Sequence, residues 1–243
     1  MKKSVLITGT NHGLGLSLVK VFLDKGFTVF AGVYKLDNES QIHCLKDKYG
    51  LFLVDMNVSD TRNIQEAVDF VSNFTKSIDI IINNAGILSS DGVARENNTI
   101  FDHLDFDSML EVYNVNALGS LRVTNAFLPL LMNGSGKLLI NISSEAGSIS
   151  DCARTGWFGY CMSKAALNMS GAIIQNELVK HGGQVWQVHP GYVQTYMHGE
   201  MNEAATHTPD FSAEQIYKLI QNTDKYKSQD AVYIDLFGNK MNW

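Results

Sequence analysis

Short apolar runs alternate with longer amphipathic segments along nearly the whole chain, and this alternation limits the possible folds more than any other feature. The runs that predict strands are residues 4–8, 28–33, 51–54, 78–83, 137–142, 184–189 and 232–236. The segments that predict helices are residues 14–25, 39–48, 61–74, 106–131, 159–180 and 212–221. Because the strands are apolar throughout, both faces of their sheet must be covered. The sequence therefore predicts an α/β Rossmann fold, a doubly wound parallel sheet of about seven strands with helices on both faces.

Length and composition set further limits. The chain has 243 residues, 45% of them hydrophobic, and no linker-like stretch divides it, so we expect one domain over residues 1–243. A net charge of −6 gives no reason to expect nucleic acid or an anionic membrane as a partner. Cys44, Cys152 and Cys161 lack the spacing of a metal site or redox pair, and reduced thiols suit a cytoplasmic protein. The apolar run after Lys3 is too short for a signal peptide, and no stretch is long enough to span a membrane.

A glycine-rich turn follows the first predicted strand. Gly9, Gly13 and Gly15 have the spacing G-x-x-x-G-x-G and lead into the first predicted helix. Such a turn lets the backbone come close to a pyrophosphate group, which the N-terminus of the helix then holds. The position between a strand and a helix favours a phosphate-binding loop over a simple turn.

A tyrosine and a lysine four residues apart carry the candidate chemistry. Tyr160 and Lys164 project from one face of a predicted helix, which places the ammonium beside the phenol and favours the phenolate. Alone, Tyr-x-x-x-Lys is common on solvated helix faces. Here the glycine turn follows strand one, residues 83–86 end strand four, Ser144 follows strand five, and Tyr160 opens the next helix. These four segments should meet, because the carboxyl ends of parallel strands share one edge of a sheet.

The order and spacing of the four segments resemble the short-chain dehydrogenase/reductase family over nearly the whole chain. The resemblance implies hydride transfer between a nicotinamide cofactor and a carbonyl or alcohol, with Tyr160 as general acid or base. It implies that Lys164 lowers the pKa of Tyr160 and bonds the nicotinamide ribose. It further implies that Ser144 bonds the substrate oxygen, with Ser143 as a competitor. In this family, the counterpart of Asn116 kinks the long helix and holds a water in a proton relay to the lysine.

The resemblance also places residues at the dinucleotide. These are Gly9, Asn11, His12, Gly13, Leu14, Gly15, Tyr34, Lys35, Asn57, Val58, Asn83, Ala85, Gly86, Tyr160, Lys164, Pro190, Gly191, Val193 and Thr195. Asn83 can instead be purely structural. Val33 stands where members that use NAD carry an aspartate, and Lys35 with His12 can reach a 2′-phosphate. NADP(H) is therefore favoured over NAD(H), with an ordinary solvated side chain as the alternative role for Lys35.

Residues 189–195 and 233–243 resemble the C-factor-like branch, near the sepiapterin and carbonyl reductases. Substrate loops are expected at residues 87–104, 148–158 and 196–211, so the substrate is predicted only as a small carbonyl or alcohol compound. The residues that can line its cleft are Trp157, Phe158, Tyr192, Met197 and Met201. The resemblance further implies that the apolar helices 106–131 and 159–180 pair across two-fold axes in a homodimer or homotetramer.

Two functions from different classes are consistent with these residues. The first is an NAD(P)(H)-dependent reductase or dehydrogenase, with no metal. The second is a nucleotide-binding regulatory or signalling protein of C-factor type with little turnover. The intact set of catalytic candidates favours the first, because a protein that only binds nucleotide needs no acid.

Overall fold

Seven parallel strands form the centre of the protein in a computed structural model that describes residues 2–35, 40–89, 98–195, 197 and 202–243. The strands are β1 Ser4–Ile7, β2 Thr28–Val33, β3 Leu51–Asp55, β4 Ile80–Asn83, β5 Leu138–Ile142, β6 Gln184–His189 and β7 Val232–Asp235. Their order in the sheet is β3-β2-β1-β4-β5-β6-β7, and every neighbouring pair is parallel. The predicted Rossmann-type fold is confirmed.

Helices cover both faces of this sheet. They are α1 Gly13–Asp24, α2 Thr61–Ser72, α3 Phe106–Tyr113, α4 Ser120–Asn133, α5 Phe158–Leu178, α6 Pro209–Gln221 and α7 Thr223–Tyr226. Successive strand side chains point to opposite faces, so Leu6 joins one apolar core while Val5 and Ile7 join the other. Within the described ranges, no helix is both long and apolar enough to cross a membrane.

Two predicted helices differ from the structure. The segment predicted at residues 39–48 is only a short 3-10 turn, Gln41–Leu45, because Ile42 is the one residue in it that is fully buried. Residue 39 itself lies outside the described part of the chain. The segment predicted at residues 106–131 is two α-helices, α3 and α4, joined by a π-helical turn over Asn114–Gly119. Such turns are rare and often occur at functional sites.

The switch point of the sheet lies between β1 and β4, where the strand order reverses direction. The glycine turn leaves β1 there, and residues 84–86 leave β4. The segments after β5 and β6 emerge at the same edge, because all seven strands run in one direction. The fold thus gathers the four predicted segments at one place.

Candidate active site

A cleft of about 990 Å³ opens at this edge of the sheet. Its walls include the glycine turn, the end of β2, the segments after β4, β5 and β6, and the first turns of α5. It brings together every predicted site residue except Asn83 and Asn116, which do not line it. A volume of this size is within the range of sites for cofactors and small molecules.

The glycine turn fits closely under the segment that follows β4. Gly9 has a φ of +68°, and a Cβ atom there would lie 2.7 Å from the Cα of Ala85. A Cβ on Gly15 would lie 2.1 Å from the carbonyl oxygen of Gly9. Side chains are therefore excluded at both positions, and the backbone at the start of α1 is left open to the cleft. Such a cradle suits the pyrophosphate of a dinucleotide.

Two asparagine side chains hold the turn in place. Asn11 donates to the carbonyl oxygen of Tyr34 at 2.9 Å and accepts from its backbone N–H at 2.8 Å. Asn84 donates to the carbonyl oxygens of Thr8 and Gly9 at 2.9 and 3.0 Å. Both residues line the cleft, but their amide groups connect its walls to one another.

Asn83 lies below the cleft, although it was predicted at the dinucleotide. Its side chain is buried, and its amide nitrogen donates to the carbonyl of Ser120, to the hydroxyl of Thr124 and to Asn141. These bonds tie β4 to β5 and α4. The position does not support direct contact with a cofactor and agrees with the structural alternative.

The end of β2 is where the ribose of a dinucleotide is usually selected. No acidic residue stands at Val33, Tyr34 or Lys35. The ammonium of Lys35 lies 5.2 Å from the centre of the Tyr34 ring. Burial lowers the pKa of His12, so its imidazole is neutral at pH 7 and can contribute a hydrogen bond but no charge. The predicted attraction of a 2′-phosphate therefore depends on Lys35.

The side chain of Asn57 is partly hydrogen-bonded within the protein. Its side-chain oxygen accepts from the N–H and the hydroxyl of Ser59 at 3.1 and 2.7 Å. Among the described residues its amide nitrogen has no partner, and the residue lines the cleft beside Val58. This nitrogen can donate to a ligand.

The two serines after β5 have different environments. Ser143 donates its hydroxyl to Asn168 at 2.6 Å and is buried. The hydroxyl of Ser144 accepts from the N–H of Ala146 at 3.2 Å, and it is also the side-chain hydroxyl that acts to lower the pKa of the Tyr160 phenol. Ser144, rather than Ser143, is therefore directed at the candidate acid.

Tyr160 and Lys164 are neighbours on α5, as their spacing predicts. The ammonium of Lys164 lies 5.5 Å from the centre of the Tyr160 ring and donates to the carbonyl oxygen of Ile142 at 2.9 Å. Burial raises the pKa of Tyr160 to about 12, although the Ser144 hydroxyl acts in the opposite direction. Burial also lowers the pKa of Lys164 to about 8. The expected lowering of the tyrosine pKa is wrong for these residues alone, because desolvation outweighs the other effects.

The sequence matches the short chain dehydrogenase family over residues 3–206. An uncharacterized oxidoreductase of Schizosaccharomyces pombe is 30% identical and aligns over 97% of this chain and 96% of its own length. Estradiol 17-beta-dehydrogenase 2 of Mus musculus is 34% identical over 83% of this chain, which spans 51% of that enzyme. The chain belongs to the short chain dehydrogenase family.

Solved structures agree with this assignment. The crystal structure of an NADPH-bound carbonyl reductase from chicken fatty liver has 32% identity and a TM-score of 0.87, covering 100% of this chain and 99% of that one. This short chain dehydrogenase is accordingly an NAD(P)-dependent oxidoreductase of carbonyl or alcohol groups, in the carbonyl-reductase-like branch. The regulatory alternative is not favoured.

Asn116 of the dehydrogenase sits in the π-helical turn, at the place where a kink was predicted. Its side-chain oxygen accepts from the N–H of Ile87 at 2.8 Å, and its nitrogen donates to the carbonyl of Ile87 at 2.9 Å. The same nitrogen donates to Ser163 at 3.0 Å, one residue before Lys164. The oxygen and the nitrogen of the amide group are thus both hydrogen-bonded, and Asn116 holds the segment after β4 against α5.

One wall of the cleft is a chain of contacts that ends at Tyr160. Arg154 forms a two-bond ion pair with Glu145 at 2.8 and 2.5 Å, and its guanidinium lies 5.5 Å from the Trp157 ring centre. The Trp157 ring meets the Tyr160 ring edge-on at 5.6 Å. Trp157 adopts a φ of +62°, which is strained for a residue with a side chain. The sequence predicted Trp157 at the cleft, but it gave no signal for the pairing of Glu145 with Arg154.

Of the other aromatic and methionine residues predicted at the cleft, some line it and others do not. Tyr192 and Met197 line the cleft, whereas Phe158 lines a smaller cavity beside it. Met201 lies outside the described residues, as do parts of the loops at residues 87–104 and 196–211.

His189 accepts from the N–H of Glu145 at 3.3 Å, and burial lowers its pKa, so it acts as a neutral anchor.

Tyr233 was not predicted as a site residue, yet it supports Ser144. Its phenol donates to the carbonyl oxygen of Ser144 at 2.5 Å, and its ring stands 5.1 Å from that of Trp243. The carbonyl oxygen of Trp243 accepts from the N–H of Ser150 at 2.9 Å. Residues near position 240 therefore brace the loop that carries Ser144.

Replacing Tyr233 by Phe should lower kcat about tenfold, because the backbone of Ser144 loses a buried hydrogen bond. The dissociation constant of NADPH should stay unchanged, since Tyr233 does not line the cleft. Steady-state kinetics with NADPH fluorescence titration measure both. Tyr217→Phe, which alters a buried tyrosine packed against Phe22 on α1, is the matched control. Equal kcat values for both variants would contradict a positioning role for Tyr233.

Proposed function

We propose that this protein is an NADP(H)-preferring carbonyl reductase in which Tyr160 is the general acid. The observation that carries the proposal is the position of Ser144, Tyr160 and Lys164 together in one cleft with the glycine turn. The proton donor and a cradle for pyrophosphate thus share one space. Loss of NADPH absorbance with a panel of aldehydes and ketones tests the proposal, and a panel that gives no turnover would count against it.

The glycine turn and the segments after β4 and β6 would hold a reduced nicotinamide dinucleotide, which would supply the hydride when bound. Tyr160 remains protonated at neutral pH, because its pKa is about 12. Its phenol therefore donates the proton to the carbonyl oxygen, while the hydroxyl of Ser144 bonds the same oxygen. The ammonium of Lys164 stabilises the phenolate that remains, and it would hold the ribose of the nicotinamide cofactor. A water relay through the turn at Asn116 stays a prediction.

The cofactor preference rests on the end of β2. Nothing acidic there repels a 2′-phosphate, and Lys35 lines the cleft with its ammonium near the Tyr34 ring. The carbonyl reductase structure with 32% identity holds NADPH. Because an exposed charge pair contributes about 0–1 kcal/mol, the preference for NADPH should be severalfold at most.

Replacing Lys35 by Ala should weaken NADPH binding severalfold and leave NADH binding almost unchanged, because only NADPH carries the phosphate that the ammonium attracts. Calorimetry at two salt concentrations measures this, and the difference should shrink at higher salt. Lys48→Ala is the charge-matched control, since Lys48 is exposed and outside the cleft. Tighter binding of NADH than NADPH to the parent protein would refute the preference.

We also propose a homodimer or homotetramer. Helices α3 and α5 leave large apolar side chains in water: Phe106 is 68% exposed, Leu110 66%, Met169 63% and Ile173 62%. Exposed apolar faces of this kind are typical of protein interfaces.

The three cysteines are unpaired, which supports the proposed cytoplasmic location.

Light scattering should find the protein as a dimer or tetramer at micromolar concentration. Ile173→Asp should shift it towards monomer, because a carboxylate cannot be buried unpaired at an apolar contact. Arg62→Asp, on the exposed face of α2, should leave the mass unchanged. A parent protein that is monomeric under these conditions would contradict the proposal.

A further inference from the structure

A second, smaller cavity adjoins the candidate acid. It lies between α3 and the start of α5 and has a volume of about 70 Å³. Leu88, Ser89, Trp157 and Tyr160 line both this cavity and the large cleft, so the two spaces share the wall that includes the candidate acid. A molecule that presents its carbonyl to Tyr160 can therefore extend one arm into each space.

Most of the small cavity is apolar, with walls that include Leu104, Met109, Val112 and Phe158. One of its polar groups stands out from the others. The hydroxyl of Ser89 is buried and has no hydrogen-bond partner among the described residues, and the residue is only 8% exposed.

Other polar residues at the cavity are already paired. Asp105 accepts from the N–H of Ser108 at 3.0 Å and caps α3, and Asn98 donates to the carbonyl of His103 at 3.4 Å. A buried hydroxyl without a partner destabilises a protein and calls for an explanation. A ligand that hydrogen-bonds Ser89 provides one.

The two volumes differ greatly, and this difference limits what each can hold. Since a water molecule occupies about 30 Å³ of the liquid, the small cavity has room for about two or three heavy atoms. An aromatic ring does not fit, but a hydroxymethyl or ethyl group does. The larger arm of a substrate must occupy the main cleft.

We propose that Ser89 selects carbonyl substrates whose short arm carries an oxygen on the carbon next to the reacting carbonyl. This inference rests on the proposed function and adds a substrate class to it: α-hydroxy ketones with one short, oxygenated arm. The short arm enters the small cavity and its hydroxyl pairs with the hydroxyl of Ser89. The hydride then adds to the ketone carbon and the proton to its oxygen, so the product is a vicinal diol.

A matched pair of ketones tests the inference. Phenethyl hydroxymethyl ketone and phenethyl ethyl ketone differ only in a hydroxyl against a methyl group at the end of the short arm. Calorimetry measures the binding of each to the parent protein saturated with NADP⁺, where no reduction takes place. The parent should bind the hydroxymethyl ketone about fivefold more tightly, because one buried hydrogen bond contributes about 1 kcal/mol.

The variant Ser89→Ala should remove this difference by weakening only the binding of the hydroxymethyl ketone. Its thermal midpoint should not fall, since the lost hydroxyl has no partner within the described residues. Phenethyl butyl ketone, whose arm exceeds the cavity, should bind at least tenfold more weakly than the ethyl ketone to both proteins.

The outcomes separate this inference from the proposed function. An equal preference for the hydroxymethyl ketone in parent and Ser89→Ala, or no binding of either ketone, overturns the inference. Turnover of other carbonyl compounds by NADPH would leave the proposed function standing in that case. Conversely, Ser89-dependent binding without any oxidation of NADPH would support the binding site and refute the reductase.

Discussion

Tyr160→Phe should lose carbonyl reduction by a factor on the order of 10²–10⁴ while binding NADPH almost as tightly as the parent. The phenol is the group placed to donate a proton, and its pKa of about 12 keeps it protonated throughout the neutral range. Phe retains the ring that packs edge-on against Trp157, so the loss can be assigned to the hydroxyl. Single-turnover kinetics and NADPH fluorescence give the two quantities.

The matched control is Tyr192→Phe, which removes a phenol that also lines the cleft and that accepts from Asn202 at 2.7 Å. We expect a much smaller change in rate from this variant. Turnover of Tyr160→Phe within about threefold of the parent would remove Tyr160 from the role of acid.

Lys164→Met should have opposite effects on activity and on stability. At neutral pH a charged lysine is held in a site that lowers its pKa from 10.5 to about 8, which destabilises the folded state by about 3 kcal/mol. Methionine has similar length and no charge, but the bond to the carbonyl of Ile142 is lost. The free energy of unfolding should therefore rise by about 1–2 kcal/mol, while turnover falls at least a hundredfold.

The pH dependence of this stability difference has a definite sign. The unfolded lysine keeps its proton up to about pH 10.5, whereas the folded one loses it near pH 8. The unfolded state thus binds more protons between these values, and the parent gains stability as pH rises through this window. Urea unfolding at pH 7 and pH 10 should show that the stability advantage of Lys164→Met over the parent is smaller at pH 10.

Lys180→Met serves as the control for the stability effect, because Lys180 is exposed and its ion pair with Glu177 lies at the surface. Its free energy of unfolding should stay within about 0.5 kcal/mol of that of the parent. If Lys164→Met is less stable than the parent at pH 7, then the contacts of the buried ammonium outweigh the free energy that its desolvation costs.

The sheet and its edge were predictable, because each strand is apolar throughout and the glycine turn joins β1 to α1. Local patterns of this kind need no knowledge of distant contacts. The spacing of Tyr160 and Lys164 likewise depends only on helix geometry. The direction of their pKa values could not be predicted, since desolvation depends on the packing of the whole site.

Contacts between residues that are far apart in the chain were the features of the site that could not be predicted from the sequence. Tyr233 supports Ser144 across 89 positions of the chain, and Asn116 binds Ser163 across 47. The position of Asn83 at the end of β4 predicts contact with the dinucleotide, but its side chain points into the core, because successive side chains of a strand alternate in direction. The 3-10 turn at Gln41–Leu45 replaced a predicted helix because too few of its side chains find a core to join.

The hydrogen that the nicotinamide donates can be followed into the product. NADPH that carries deuterium at the transferable position of the nicotinamide is incubated with the protein and a ketone, and the alcohol is examined by mass spectrometry. We predict an alcohol with one deuterium on the former carbonyl carbon, formed by the parent protein and lost with Tyr160→Phe. An unlabelled alcohol, or equal labelled product from both proteins, would contradict hydride transfer from nicotinamide with Tyr160 as the acid.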